Sequence, residues 1–423
     1  MRVLWIVQGA MKEVAKKAGE KEPVSGTWIE SLKNVLVNNQ NVELHILCVV
    51  SKKQFRAVQQ FICNGVTYYV LNVKKKALLD GQETKAKKEI NDMILKIKPQ
   101  IIHVHGTEFS ISLNINESIQ KRIPICHSIQ GLVSCIADNY FYANLPLNEM
   151  FLMERIPLQI QRRDYKRRGK SERKIIQRYK YFFGRTDWDF SHITALNSQV
   201  KYIRVRELFR EEFVNSKPWD IKQIKRLTIF YAGGARVPLK GFHKFLTGLV
   251  LIKQSFPEVI VYVAGIMPKK KLPLIGTIGY GRYINRLIKN KGLSDNIVFT
   301  GPLSSEEMLK QFSQAHCYVL GSAIENSSNT LVEAMLVGVP SVVASVGGVN
   351  NFAEHNVTSY IYRFEEIEML SYYVKKIFHN DTIAEKFSIN SRKKIREALD
   401  GNQHDLFNAY EYVIDDFSKE VNK

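Results

Sequence analysis

A strand, a small polar loop, a helix and a second strand follow one another in residues 317–344, whose sequence is CYVLGSAIENSSNTLVEAMLVGVPSVVA. Residues 317–320 form a short apolar run that is typical of a buried strand. Ser and Asn residues then supply N-caps for a helix that begins near Ser328, and Gly338-Val339-Pro340 ends it. We therefore expect a strand–helix–strand unit of a parallel sheet here.

The same alternation of strand and helix runs through the rest of the chain in two series. Residues 28–38 have the spacing of an amphipathic helix. Short β-branched runs predict strands of the first series at 2–7, 42–48, 101–105 and 124–129. Strands of the second series are predicted at 227–231, 259–265, 296–301, 317–320 and 341–344. Two such series indicate an α/β protein with two doubly wound domains.

The length of the chain supports this division, because 423 residues exceed what one hydrophobic core usually organises. We predict an N-terminal domain at 1–215 and a C-terminal domain at 225–400, joined by a polar, Pro-containing linker near 216–219. Residues 406–421 have amphipathic helical spacing and place a last helix within the segment 401–423.

The composition, 45% hydrophobic and 24% charged, is ordinary for a globular enzyme. The formal net charge of +20 favours anionic partners, namely nucleic acid, acidic lipid or phosphorylated substrates. The five cysteines contain no CxxC pair, so neither a disulfide framework nor a zinc site is predicted, and a reducing compartment fits best. The apolar start at 1–7 is too short for a signal peptide, and no uncharged apolar run approaches the ~18 residues of a membrane span. We predict a cytoplasmic protein, with attachment to a membrane surface left open.

The helix that begins near Ser328 offers a site for a charged ligand. Its first turn leaves backbone N–H groups unpaired and carries about half a positive charge, which suits a phosphate group. Glu325 precedes the helix and Glu333 lies inside it, and each carboxylate can accept hydrogen bonds from two hydroxyl groups. The pair could hold two sugar rings of one ligand on either side of a phosphate.

Together these residues resemble the E-x7-E element of the GT-B retaining glycosyltransferases of family 4, the glycosyl transferases group 1, in which a GxP turn also ends the helix. The resemblance implies two Rossmann-like αβα domains that face each other across a cleft, with the C-terminal helix crossing back to the first. It implies transfer of a hexose from a nucleotide diphosphate-sugar, most often a UDP-sugar, with retention of configuration and with no metal or other cofactor. The implied acceptor is a saccharide or a polyprenyl-diphosphate-linked saccharide of bacterial capsular, exo- or lipopolysaccharide synthesis.

The resemblance also implies roles for individual residues of the second domain. Glu325 matches the glutamate that contacts the donor sugar hydroxyls, and Glu333 matches the one that binds the ribose hydroxyls. Five residues match the loop and helix start whose N–H groups hold the diphosphate and sugar: Asn326, Ser327, Ser328, Asn329 and Thr330.

A second match, in residues 234–241, resembles the "GR…KG" segment that follows the first strand of that domain. Gly234, Arg236 and Lys240 occupy its positions, and the basic side chains of the family neutralise charge on the leaving diphosphate. Here three residues separate Arg236 from Lys240, whereas the family usually has four. Lys240, next to Gly241, therefore fits the pattern better than Arg236.

Three further residues in the first domain are candidates. Gly26 lies in a segment, 25–28, that resembles the glycine loop after the first strand, where the backbone approaches phosphate or acceptor. His105 shares a strand face with His103, so that packing and catalysis are both open. Gln130 stands where many relatives carry histidine, and an amide cannot shuttle a proton near neutral pH. No general base is therefore predicted.

Residues 151–185 contain twelve Lys/Arg and three Asp/Glu, with apolar residues between them. This segment could bind an anionic membrane surface, or it could be a solvated helical face or a mobile active-site loop. Other functions remain open: a sugar-nucleotide epimerase of the same fold, a phosphorylase, or a basic lipid- or nucleic-acid-binding protein. Since no nucleic-acid-binding module is present, nucleic acid is not an expected partner.

Overall fold

The computed structural model describes residues 1–20, 27–51, 55, 59–73, 84–205, 209–267, 271–272, 276–400 and 406–422. The chain forms two compact units. Unit 1 comprises Met1–Ala137, Asp164–Leu208 and Asn402–Lys423, and unit 2 comprises Asp138–Arg163 and Phe209–Gly401. The predicted domains, 1–215 and 225–400, differ from these units chiefly at 138–163, which packs with unit 2.

Unit 1 is built, within the described residues, around one sheet of eight strands in the order β3-β4-β2-β1-β5-β6-β7-β8. Only the β3–β4 pair is antiparallel among these strands. The strands are β1 Arg2–Gln8, β2 Glu43–Val50, β3 Gln60–Cys63, β4 Val66–Asn72, β5 Ile101–His105, β6 Ile125–Ser128, β7 Tyr181–Gly184 and β8 Lys201–Arg204. The central strand β1 is buried from Val3 to Val7 because helices cover both faces of the sheet.

The helices that lie wholly within the described part of unit 1 range from three to sixteen residues in length. The helices of unit 1 are Lys12–Lys17, Thr27–Val37, Thr84–Ile97, Glu117–Gln120, Val133–Cys135, Asp187–Leu196, Leu406–Val421 and the second half of Leu152–Arg178, with a 3-10 turn at Ser110–Asn114 and a π turn that starts at Ile136. The C-terminal helix belongs to unit 1, where Trp5 Nε1 donates to Tyr410 Oη at 2.8 Å. The same hydroxyl lies 2.6 Å from Nδ1 of the buried His103.

In the described part of unit 2, six parallel strands form one sheet in the order β13-β10-β9-β14-β15-β16. A short antiparallel pair, β11 and β12, lies outside this sheet. The strands are β9 Lys225–Tyr231, β10 Ile260–Val263, β11 Lys271–Leu272, β12 Gly276–Thr277, β13 Ile297–Phe299, β14 Ala315–Leu320, β15 Ser341–Ala344 and β16 Tyr360–Tyr362. The helices are Glu211–Val214, Phe242–Lys253, Gly279–Asn290, Ser305–Gln314, Asn329–Val337, Ile367–His379 and Asp381–Asp400, with 3-10 turns at Pro238–Lys240, Ser294–Asn296 and Val349–Asn351. The prediction of two Rossmann-like α/β domains is confirmed.

Segment 138–163 joins unit 2 through polar contacts that hydrophobic periodicity does not reveal. Arg286 donates to both carboxylate oxygens of Glu154, at 3.0 and 2.8 Å, and the Glu154 side chain is fully buried. His243 Nε2 lies 2.8 Å from the carbonyl oxygen of Ala143. A buried carboxylate requires such a partner, so the ion pair fixes this segment to unit 2.

The described residues contain no helix that is both long enough and apolar enough to span a bilayer.

Candidate functional site

The order of strands in unit 2 determines where a ligand site can form. Strand β9 lies between β10 and β14 in the sheet. From β9 the chain continues to one edge of the sheet through β10 and β13, and it then returns to the other side of β9 to form β14, β15 and β16. Loops at the carboxyl ends of such strands diverge and leave a crevice. In unit 2 these loops follow β9 at 232–241 and β14 at 321–328.

The two loops contact each other closely. Ala323 N donates to the carbonyl oxygen of Leu239 at 2.8 Å. Gly241 has a left-handed φ of 68°, and a Cβ on it would lie 1.7 Å from the carbonyl oxygen of Gly321. Only glycine permits this approach, which brings Lys240 to the start of the β14 loop.

The Glu325 carboxylate lies at this contact. Its Oε1 accepts from Lys240 Nζ and from Ser322 Oγ, both at 2.6 Å. Its carbonyl oxygen accepts from Gly348 N at 3.0 Å, and a Cβ on Gly347 would lie 1.9 Å from the same oxygen. The structure thus brings together two residues, Glu325 and Lys240, that the sequence placed separately at the site.

The helix after this loop spans Asn329–Val337, within one residue of the prediction. Ser328 caps it, accepting from Leu331 N at 3.4 Å, and Gly338 ends it with a φ of 86°. Thr330 Oγ1 lies 2.9 Å from Tyr318 Oη. Asn326 and Ser328 are buried, whereas Ser327, Asn329 and Thr330 are half-buried. The loop and first turn therefore lie at the carboxyl end of β14, with part of their surface accessible.

Glu333, inside the same helix, has a partner that the sequence did not predict. Its Oε1 accepts from Arg210 Nε at 3.0 Å and from Arg210 Nη2 at 2.5 Å. Arg210 Nη1 also donates to Ser305 Oγ at 2.8 Å. No motif marks Arg210, which lies 123 residues before Glu333 in the chain.

Two other candidates from the sequence, Gly234 and Arg236, lie in the loop that follows β9. Gly234 follows β9 and has a left-handed φ of 69°. Arg236 is exposed. Gly26 lies outside the described residues.

Unit 1 contains a cavity of about 400 Å³ at the equivalent place of its own sheet. Strand β1 lies between β2 and β5, and the cavity opens at the carboxyl ends of β1, β5 and β6. His105 and Gln130, both candidates from the sequence, line it. The other lining residues are Val7, Gln8, Ala10, Met11, Lys12, Ile29, Glu30, Glu108, Phe109, Gly131, Val133, Ile136, Tyr165 and Arg168.

One wall of the cavity comes from the second half of helix Leu152–Arg178. Tyr165 and Arg168 face the cavity, and the Arg168 guanidinium lies 5.1 Å from the ring centroid of Phe109. One turn further, the fully buried Glu172 accepts from Thr107 Oγ1 at 2.8 Å and from Ser134 N at 2.7 Å. The basic segment 151–185 therefore contributes two side chains to the wall of this cavity.

Burial changes the protonation of the groups in this cavity. Desolvation raises the pKa of Glu108 to about 7; Glu172 acts in the same direction, while backbone N–H groups and Arg168 oppose it. Burial lowers the pKa of His105 to about 3, so its imidazole is neutral at physiological pH. Glu108, which sequence patterns did not identify, thus has a pKa near neutrality.

His103 on β5 and His127 on β6 are packing residues. His103 is fully buried between Tyr410 Oη and Ser128 Oγ, each 2.6 Å from a ring nitrogen. His127 is fully buried against Tyr179 and Phe182, with ring centroids 4.5 and 5.4 Å away.

Comparison with known proteins agrees with this architecture. Solved structures of similar fold include sucrose-phosphate synthase from Thermosynechococcus elongatus (12% identity, TM-score 0.65, 100% of this chain and 98% of that one). Another is HepE of Anabaena in complex with UDP-glucose (13% identity, TM-score 0.65, 99% of this chain and 100% of that one). The fold is GT-B.

Sequence comparison adds a match for part of the chain. Residues 215–394 match the model described as Glycosyl transferases group 1. An uncharacterized glycosyltransferase of Methanocaldococcus jannaschii is 24% identical over 169 residues, which are 38% of this chain and 43% of that protein. The chain spans less than half the length of the curated relatives it matches. The matched region contains Lys240, Glu325 and Glu333.

Proposed function

We propose that this protein is a glycosyltransferase that moves a hexose from a nucleotide diphosphate-sugar to a saccharide or lipid-linked saccharide. The observation that carries this proposal is the contact between Lys240 and Glu325, beside the start of helix Asn329–Val337. A cation, a carboxylate and the N-terminus of a helix at one sheet edge suit a sugar joined to a diphosphate.

In this proposal the C1–O bond to the diphosphate breaks as the oxygen of the acceptor hydroxyl bonds to C1, and the proton of that hydroxyl passes to an oxygen of the leaving diphosphate. Negative charge then builds on the leaving diphosphate, where Lys240 and the helix start stabilise it, with Arg236 as a second cation. Glu325 orients the sugar hydroxyls and Glu333 binds the ribose. Asn326, Ser327, Ser328, Asn329 and Thr330, together with Gly234, shape the backbone around the diphosphate.

UDP-sugar is the proposed donor, because a structure of this fold was solved with UDP-glucose. Retention of configuration and independence from metal or other cofactors follow from the likeness to the E-x7-E element. The cavity of unit 1 is the proposed acceptor site, and His105 and Gln130 are its proposed polar contacts. A role in surface-polysaccharide synthesis at the cytoplasmic side of the membrane completes the proposal.

A thermal-shift panel of UDP-, GDP- and ADP-sugars, with and without EDTA, tests the donor site. We expect one nucleotide to raise the melting temperature of the wild type, to do so also in EDTA, and to raise that of Glu333→Ala by a smaller amount. If none of these sugars shifted the wild type, the proposal would be wrong.

Turnover tests the reaction itself. We expect Lys240→Ala to lower kcat by about 10²–10³-fold, as does loss of a group that stabilises developing charge. Glu325→Ala should abolish transfer and leave the fold intact. Lys289→Ala, which changes an exposed lysine of the same unit, is the control and should keep the turnover of the wild type. Product analysis by NMR would show whether configuration is retained, and an epimerised donor without a new glycosidic bond would contradict the transferase assignment.

Attachment to an anionic membrane is a further part of the proposal. At the start of helix Leu152–Arg178 a group of large apolar side chains is exposed, together with the half-buried Arg155 and Arg162 and the exposed Arg163. These apolar residues are Phe151, Leu152, Met153, Ile156 and Ile160. Apolar residues inserted between basic ones are typical of shallow binding to anionic lipid.

Co-sedimentation with vesicles tests this attachment. We expect binding to vesicles that contain phosphatidylglycerol, weaker binding to pure phosphatidylcholine, and loss of both in Leu152→Ser/Ile156→Ser/Ile160→Ser. Equal recovery of wild type and triple variant with the anionic vesicles would contradict it. Ile389→Ser, which changes an exposed isoleucine elsewhere in unit 2, is the matched control.

A further inference from the structure

Arg210 is held rigidly at the edge of the proposed donor site. It directly precedes the short helix Glu211–Val214, and its carbonyl oxygen accepts from Phe213 N at 3.0 Å. Phe213 is fully buried and packs edge-to-face on Phe312, with ring centroids 6.1 Å apart. The backbone that carries Arg210 is therefore anchored in the core of unit 2.

The side chain of Arg210 is fixed as firmly as its backbone. Its guanidinium lies 4.6 Å from the ring centroid of Phe213, and Nη1 donates to Ser305 Oγ. Nε and Nη2 both point at Oε1 of Glu333. A planar guanidinium held at three N–H groups and on an aromatic face has little rotational freedom.

Glu333 needs this partner, because only 7% of its side chain is exposed. A buried carboxylate costs free energy unless it is paired and hydrogen-bonded. Both contacts from Arg210 end on Oε1 of Glu333. They therefore fix the position of this oxygen and, with it, the rotation of the carboxylate about the Cγ–Cδ bond. Hydrogen bonds to a diol depend on that rotation, since both hydroxyls must be met at about 2.6–2.8 Å.

We propose that Arg210 is a positioning residue that orients the Glu333 carboxylate towards the ribose hydroxyls of the donor nucleotide. This inference rests on the proposed function, in which Glu333 binds ribose. Arg210 then contributes to the preference of the donor site for a ribonucleotide over a deoxyribonucleotide. If Arg210 had a structural role alone, its substitution would change the stability of unit 2 and leave this preference unaltered.

Calorimetric dissociation constants for UDP and 2′-deoxy-UDP test the proposal, with the GDP and ADP pairs measured in parallel. We expect wild type to prefer the ribonucleotide of one pair and Glu333→Ala to lose that preference. Arg210→Ala should bind the ribonucleotide about tenfold more weakly and lose most of the preference, as when a hydrogen bond to a charged group is lost. Arg210→Lys keeps the charge without the planar fork and should show a partial loss.

Arg226→Ala is the matched control, because Arg226 contacts Asp381 of the same unit with two N–H groups at 2.5 and 2.6 Å. It should retain the wild-type preference. If Glu333→Ala loses the preference while Arg210→Ala and Arg210→Lys keep it, this inference is overturned and the donor site stands. If wild type shows no preference, or Glu333→Ala keeps it, the ribose assignment itself fails. If Arg210→Ala does not fold, Arg210→Lys decides between these outcomes.

Discussion

At the residue scale, carboxylates in this protein differ because their surroundings differ. Glu325 has a cation and a hydroxyl at hydrogen-bond distance, whereas Glu108 lies on the wall of a cavity close to a second carboxylate, Glu172. Burial disfavours the charged form of a carboxylate, and a nearby like charge adds to this effect. Glu108 thus gains a pKa of about 7.

The protonation of Glu108 predicts a pH-dependent stability. Its pKa is about 7 in the folded protein against an ordinary value of 4.5, so the protonated form stabilises unit 1. This contribution is fully present below pH 4.5 and is lost as the pH rises through about 7. Relative to wild type, Glu108→Gln should therefore gain free energy of unfolding between these values, by up to about 3 kcal/mol.

Tryptophan fluorescence during denaturant unfolding can measure this gain in unit 1. In a Trp219→Phe background the remaining tryptophans, Trp5, Trp28 and Trp188, all belong to unit 1. A difference between variant and wild type that stays flat from pH 4.5 to 7 would contradict the prediction.

At the scale of the element, the two loops of the donor site depend on close backbone approach. Gly241 and Gly347 both have positive φ, and each would place a Cβ within 2 Å of a carbonyl oxygen of the β14 loop. These glycines therefore determine how near the neighbouring loops come to Glu325. Sequence motifs mark Gly241, but the partner oxygen is known only from the fold.

Gly241→Ala tests this dependence. Gly292, with a φ of 62° and open space around its Cα, is the matched control, since alanine there meets only the backbone penalty of roughly 1 kcal/mol. We expect Gly241→Ala to lower the free energy of unfolding by at least about 2 kcal/mol more than Gly292→Ala. It should also remove the thermal shift by the nucleotide-sugar, because Lys240 moves with residue 241. Equal losses of stability in the two variants would show that the loop adapts.

At the scale of the whole molecule, each unit contains segments that are distant in sequence. The last helix of the chain completes the core of unit 1, where Tyr410 bonds to Trp5, 405 residues earlier. Segment 138–163 completes unit 2 in the same way. Unit 1 therefore completes its core only after residues 406–421 have been synthesised.

Tyr410→Phe should destabilise unit 1 selectively. It leaves Trp5 Nε1 and a ring nitrogen of His103 without their partner in a dry core, at a cost of about 1–3 kcal/mol. Hydrogen–deuterium exchange should increase in peptides of β1 and β5 and stay unchanged in β9 and β14. Tyr412→Phe, on the exposed side of the same helix, should behave like wild type. Protection that falls equally in both units would contradict independent cores.

Local periodicity and turn chemistry in the sequence predict the helix Asn329–Val337 with its caps, four strands of the unit 1 sheet and five of the unit 2 sheet. They do not predict β3, β4, β7, β8 and β16. Lys240 and the role of Glu325 are identified through the resemblance to family motifs. Edge strands such as β8, with half-exposed and exposed residues, lack that periodic signal. Three features are visible only in the tertiary structure. Arg210 contacts Glu333, Glu108 is desolvated, and helix Leu152–Arg178 forms one wall of a cavity. Those facts depend on contacts between residues far apart in the chain, and only the packed fold fixes such distances.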